Sequence, residues 1–428
     1  MSHLLRRLTF GPTAAEVDAA TAAGPSAAGT GLDATLDRLL KPVAVPAPPD
    51  LGADPFAGNL SREQRAAARQ GVRKQTTEAT IWWLSRMAAG GATSAAEKLT
   101  FFWHGHWATS VQKVRSAQLM VAQQQTFRRY GAGDTSPLVR AMLRDPALIL
   151  WLDGQKNTRK APNENLAREL MELFTLGIGN YTEDDVKAGA KVLTGWKVDR
   201  TTGRATLVKQ RHDPAPVTML SAGGVADVDA YADLLVRHPA HLPFLTARLW
   251  SRYGATDLPA PKPLGQRDVT AMLRAMVTSP AFADARGRLV KQPVEWLVGA
   301  VRQLGIKVDA LEDKQRNQLV GILRALGQVP FRPPSVGGWP AGHAWLTTSS
   351  AQARLKAGQQ LVALAPAAGS DQLEAAADQL TGADRLDALA RLLVVDAWTD
   401  RTRAALTPVK DPRKLLALAL ATPEYIVH

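Results

Sequence analysis

Apolar residues recur at three-to-four spacing in stretch after stretch of this chain, and almost nowhere at spacing two. Thr13 to Ala22, Ala66 to Ala88, Ala95 to Trp103, Ser116 to Tyr130, Asn165 to Leu176, Glu183 to Leu193 and Val228 to Val236 carry the pattern in the first half. Gln266 to Thr278, Pro293 to Leu304, Leu311 to Leu326, Ala351 to Leu364, Arg385 to Val395 and Pro412 to Ala421 carry it in the second. A period near 3.6 lines one face of a helix, whereas a strand facing a core needs alternation. The expected fold is therefore mainly α, a multi-helical globule. One small β-hairpin is expected near residues 197–220, where Val198, Thr201 and Thr202 precede Gly203.

Punctuation supports the helical reading. Ser94-Ala-Ala-Glu97 and Thr182-Glu-Asp-Asp185 each place a hydroxyl three residues before a carboxylate, the spacing of a helix N-cap. Apolar helices run into X-Pro at Asp145-Pro146, His238-Pro239, Ser279-Pro280 and Thr422-Pro423, where the residue before proline is pushed out of the helical region. These sites recur unevenly, which excludes a solenoid of fixed period. Pro42 to Gly58 is proline-dense and poor in large apolar residues, so it reads as a linker between an N-terminal helical segment (1–41) and a main helical domain (59–428). A further division is expected near 255–265, another stretch rich in proline and glycine.

Charge and composition bound the partners. Fifty-two Lys and Arg against 39 Asp and Glu leave a net +13, which favours anionic partners, but no run of five basic residues occurs. Nucleic acid is therefore not the expected partner. The chain has no cysteine, which excludes disulfides, thiolate metal sites and thiol nucleophiles. Gly-x-Ser-x-Gly, the Walker loop and HExxH are all absent. No apolar run reaches the ~18 residues that span a bilayer. Behind Arg6-Arg7 come Glu16 and Asp18 rather than an apolar segment, so no signal peptide is read and the chain as written is expected to be cytoplasmic.

The residues that suggest chemistry concentrate in PNENLARELMELFTLG, beginning at Pro162. At about 100° per residue, Asn165, Arg168, Glu169 and Glu172 fall within an arc of roughly 100°, opposite Leu166, Leu170, Leu173 and Phe174. Arg168 and Glu172 have the i,i+4 spacing of a pair. Just upstream, Asp153 and Asn157 join Asn163 and Asn165 in an amide-rich loop suited to hydrogen-bonding hydroxyl groups. Asp213, in Arg211-His212-Asp213-Pro214, either initiates a turn or orients His212. His104 and His106 flank Gly105 and would point about 200° apart on an intact helix, so a shared ligand needs unwinding at the glycine. Among eleven tryptophans, Trp103, Trp107 and Trp196 stand near these motifs, where they either fill the core or line a cleft.

Taken together, HLLRRLTFGP from His3, EKLTFFWHGH from Glu97, Trp151-Leu-Asp153, the PNENLARELMELFTLG block, Leu193-Thr-Gly-Trp196, His212-Asp213, Lys291-x-Pro-Val-Glu295 and Pro333-Pro-x-Val-x-Gly-Trp339-Pro resemble the bacterial family DUF1800. The resemblance covers nearly the whole chain, in order. It implies no established activity. Members of the family are often exported and are commonly encoded beside a sulfatase-like family, DUF1501, that bears a twin-arginine signal. A DUF1501-like protein is thus an implied partner, and export with such a partner an alternative to the cytoplasm. Where the family tends to place a lysine after His212-Asp213, this chain has Pro216-Val217.

Three functions follow as expectations. The first is a carbohydrate-active hydrolase, with Glu169 and Glu172, or one of them with Asp153 or Asp213, as acid and base or nucleophile. A glycan or other small molecule would then be held by Trp103, Trp107, Trp196, Asn157, Asn163, Asn165 and Arg168. The second is a metal-dependent hydrolase or oxidoreductase, with His104, His106 and His212 joined by Glu169 or Glu172 around a divalent metal ion. The third is a non-catalytic partner or scaffold of the sulfatase-like protein.

Overall fold

The computed structural model describes residues 1–22, 31–263, 265–365 and 383–428. These are mainly helical, with two small antiparallel sheets of two strands each. At the centre lies the helix Gly91–His106, which packs against Gly31–Leu40, Arg62–Ala88, Ala117–Tyr130 and His241–Tyr253. Because neighbours cover it on every side, even its charged and polar residues Glu97, Lys98, His104 and His106 are buried. The helices expected from periodicity all form, with ends shifted by a few residues. The expected hairpin becomes two: Trp196–Asp199 pairs with Arg204–Leu207, and Val217–Met219 with Ala222–Val225.

The expected division at 42–58 does not divide the core. Leu4, Leu5, Leu8 and Phe10 lie in the same apolar cluster as Trp83, Trp296 and Tyr425. Arg7, in the first helix, is wholly buried and donates from Nη1 to the carbonyl of Gly254 (2.5 Å) and from Nη2 to that of Ala285 (2.6 Å). Residues 42–58 form a strap across the main body. Gln125 Nε2 donates to the Pro46 carbonyl (2.7 Å), Gln118 Nε2 to Gly52 (3.0 Å) and Ala53 (2.9 Å), and Gln75 Nε2 to Leu51 (2.6 Å). Arg200 closes the strap on Asp54 at 3.1 Å. The loop near 255–265, of which Leu264 is not described, joins helices His241–Tyr253 and Val269–Val277, whose buried faces share the core.

The two hydroxyl-before-carboxylate signals resolve differently from each other. Thr182 and Asp185 form the expected capping box. Ser94 does not cap: the helix starts earlier, at Gly91, and Ser94 Oγ instead accepts from the Phe10 amide at 3.1 Å. Its carboxylate partner in the motif, Glu97, is drawn inward by Arg86, Arg128 and Trp83 Nε1. At Asp145, Ser279 and Thr422 the X-Pro pairs start short helices as well as following longer ones, each residue acting as N-cap with proline in the first turn.

Candidate functional site

Helix Asn165–Glu169 runs into a π-helix, Leu170–Thr175. The wider turn shows in the bonds, since the Leu176 amide reaches back five residues to the Met171 carbonyl (2.9 Å) and Thr175 Oγ1 to that of Leu170 (2.6 Å). Such segments recur at functional sites. Two of its last carbonyls are taken by buried imidazoles from other helices. His106 Nε2 donates to Phe174 (2.9 Å) and His241 Nδ1 to Thr175 (3.0 Å).

The pairing expected between Arg168 and Glu172 is not made. Arg168 forms a bidentate pair with Glu183 (2.6 and 2.7 Å), on the next helix, and reaches Glu164 at 3.3 Å. A two-pronged carboxylate grip outcompetes a single i,i+4 contact. Glu172 is thereby left to accept a hydrogen bond from Tyr181 Oη at 2.7 Å. The half-buried Glu169 carboxyl titrates above the ordinary range, first because burial disfavours its charge and second because Glu172 lies beside it, with Arg168 opposing. The two carboxyls thus sit in unlike surroundings: burial and a neighbouring charge raise Glu169, and Glu172 has a phenol donor. Replacing Glu172 with Gln removes a like charge and is expected to lower the Glu169 pKa, as followed by NMR titration of labelled glutamate carboxyls. An unmoved Glu169 would show that the two groups do not interact.

The other residues singled out from the sequence serve the fold. Asn157 is fully buried, donating from Nδ2 to the Ala190 carbonyl (2.7 Å) and accepting from the Asn163 amide (2.9 Å). Asn163 in turn accepts from the Asn165 amide (3.1 Å), and Asn165 Nδ2 donates to the Leu152 carbonyl (3.2 Å). This amide chain holds loop backbone rather than opening donors to a ligand. Asp153 is held by Lys113 (2.7 Å) and Lys156 (2.9 Å), which keep its carboxyl below the usual range. Asp213 makes a turn, accepting from the Ala215 amide at 3.1 Å.

The tryptophan-lined cleft does not form around Trp103, Trp107 and Trp196. They are 2%, 1% and 8% exposed and fill the core, with Trp103 Nε1 donating to the Gly131 carbonyl at 2.9 Å. Helical neighbours on both sides claim their rings before solvent can.

The histidine set does not converge either. The helix continues through Gly105 to His106, so His104 and His106 keep opposed directions. His104 Nε2 accepts from the Phe331 amide at 2.9 Å, and His106 is spent on Phe174. His212 Nδ1 donates to the Thr194 carbonyl at 3.0 Å, in a contact that needs Gly195 (φ 89°), where a Cβ would meet the His212 backbone nitrogen at 2.9 Å. Among the described residues no three His, Asp or Glu side chains lie together as a metal would require.

What sequence reasoning missed lies on the other side of the central helix. Glu295 is buried and holds Lys98 Nζ on Oε1 (2.7 Å) and Arg252 Nη1 on Oε2 (2.8 Å), while the Gln292 amide donates to Oε2 (2.9 Å). Burial alone would raise this carboxyl, but Arg252 and Lys98 hold it down at about 2. Burial also lowers Lys98 to about 8 against the opposing pull of Glu295. Three sequence blocks meet here: EKLTFFWHGH, KQPVE and PPSVGGWP. Gly338 (φ 84°) rests on Gly105, and a side chain there would drive into the Gly105 carbonyl oxygen. Lys98 and Glu295 both lie in these blocks, whereas Arg252 comes from RLWSRY, outside them. A separate cavity of about 540 Å³, within the size range of small-molecule sites, lies under the strap between Pro42, Val45, Glu97, Arg128 and Tyr253.

No curated protein and no solved structure matches the chain. The family model does: it aligns with residues 3–427. The blocks that meet around the central helix all fall within that span, and the chain belongs to DUF1800, described as a protein family of unknown function.

Proposed function

We propose that Glu169, Glu172 and Tyr181 form a general acid/base group for hydrolysis of a glycan or other small polar substrate. The observation that supports this is the asymmetry of the carboxylate pair, with Glu169 half-buried and raised beside Glu172, and Glu172 accepting from Tyr181, since acid/base catalysis uses two groups in unlike surroundings. Glu169 gives its proton to the departing oxygen. Glu172, steadied by Tyr181, takes a proton from the attacking water, so the bond to the leaving group breaks as the new C–O bond forms. Asp153 and Asp213 have no part in this step, because lysines and turn amides engage them.

The test is a panel of chromogenic aryl glycosides, with Glu169→Gln as the variant. Turnover by the wild type with a bell-shaped pH profile, reduced in the variant by about 100-fold or more, is the expected result. Equal rates in the two proteins, or no turnover of any glycoside, would overturn the glycan reading.

One observation favours a second reading, as binding partner of a DUF1501-like protein. Ile178 is 79% exposed on the turn that joins the π-helix to Tyr181. An apolar side chain so placed suits an interface core. Co-purification of that partner with wild type but not with Ile178→Asp, together with unaltered binding by Glu169→Gln, would select this reading over catalysis.

A further inference from the structure

A second, smaller cavity of about 70 Å³ opens beside the Glu295 cluster, at the C-terminal end of the central helix. His106, Arg248, Ser251, Arg252, Gln292 and Trp339 supply its polar lining, and no carboxylate lines it. Arg248 makes no side-chain hydrogen bond or ion pair among the described residues, and its Nε is buried without a partner. Burial holds its pKa below the ordinary arginine value. Arg252 is 7% exposed, gives Nη1 to Glu295 and has no acceptor for Nη2. Trp339 Nε1 is likewise buried and unmatched.

Buried donors are nearly always matched in native proteins, and the three unmatched N–H groups on residues around this cavity face one unmatched acceptor, His106 Nδ1, so donors in excess still call for an acceptor. The charge balance points the same way. Glu295 already faces two cations, Lys98 and Arg252, before Arg248 is added. Water would satisfy some donors but would leave the excess positive charge. An anion satisfies both.

We propose that this cavity binds a tetrahedral oxyanion, a phosphate or sulfate group, gripped by the Arg248 fork with Arg252 and Trp339 as further donors. Guanidinium groups are the side chains that meet such oxygens two at a time. The cavity volume admits the free ion or the end of an ester whose remainder stays outside. This site is separate from the carboxylate pair and stands whether or not Glu169 is catalytic.

The experiment is calorimetric titration of the full chain with inorganic phosphate and with sulfate, against sodium chloride at matched ionic strength. Saturable binding of one ion per chain is expected, weakened at least tenfold in Arg248→Gln. Because Arg248 holds no other residue through its side chain, that variant is expected to keep the wild-type melting temperature. Trp339→Phe provides a second check, removing one donor while keeping an aromatic ring, and is expected to weaken binding by a smaller factor. Phenyl phosphate and phenyl sulfate separate the sources: tighter binding than the free ions assigns the site to the end of a larger ligand, weaker binding to the ion itself, and both support an oxyanion site. The proposal is overturned if chloride binds as well as sulfate and phosphate, if no saturable binding occurs, or if Arg248→Gln binds as tightly as wild type.

Discussion

Acidification from pH 7 to pH 5 is expected to cost this protein about 5 kcal/mol of stability or more. His104, His106 and His241 are buried and titrate at about 3, 3 and 4, in each case chiefly because burial disfavours the imidazolium. Geometry requires His104 to be neutral independently, since its Nε2 accepts the Phe331 amide proton. In the unfolded chain these rings take up protons near pH 6.5, while the folded protein resists until about pH 4 to 3. Their contribution is therefore complete above pH 6.5 and falls as pH drops toward the folded values. Each ring costs about 1.4 kcal/mol per pH unit in that window, so three cost about 6 kcal/mol by pH 5.

His3, lowered to about 4, and His428, lowered further, act in the same direction. Asp145 acts against them: burial raises it to about 6, which returns roughly 1 kcal/mol over the same interval. For His104, His106, His241 and Asp145 the net loss is about 5 kcal/mol, to which His3 and His428 add, against a typical total of about 5–15 kcal/mol. Urea unfolding followed by circular dichroism at pH 7.5, 6.5, 5.5 and 5.0 measures it. Stability that stays flat across that series would show that the imidazoles reach solvent or a counter-charge.

Glu295→Gln is expected to be the most damaging single substitution near the arginine cavity. It leaves Lys98 and Arg252 buried with no carboxylate, and removing one member of a buried pair costs about 3–5 kcal/mol. Converting the pair together, as Glu295→Leu with Arg252→Met, is expected to cost less than the sum of the single changes, because the stranded charge of Arg252 disappears with its partner and only Lys98 is left without a carboxylate. Denaturant midpoints of the four proteins decide. Additive losses would mean that the ion pair is not the source of the effect.

Why some of this was legible in the sequence and some was not follows from what each residue answers to. Helix positions answer to local periodicity, and the segments from Thr13 to Ala421 formed accordingly. The helix His241–Tyr253 escaped notice because Arg248 and Arg252 interrupt its apolar face, and they do so because that face meets a polar cavity. Helical spacing alone put Glu169 and Glu172 on one face, yet the partner of Arg168 was not legible, since Glu183 approaches from another helix. Trp103, Trp107 and Trp196 resemble ligand-stacking residues in sequence, and only packing reveals that they are enclosed. His104 and His106 read as ligands because an imidazole bonded to a backbone group leaves no trace in the residue pattern.

The strap carries a lesson for redesign. Gln75, Gln118 and Gln125 grip it through main-chain carbonyls, which every amino acid possesses. Substitutions at Val43, Pro48 or Pro49 that preserve an extended backbone would keep the same three handles. Affinity tags, fluorophore sites or recognition peptides could therefore be written into residues 43–49 while the body beneath keeps its hold.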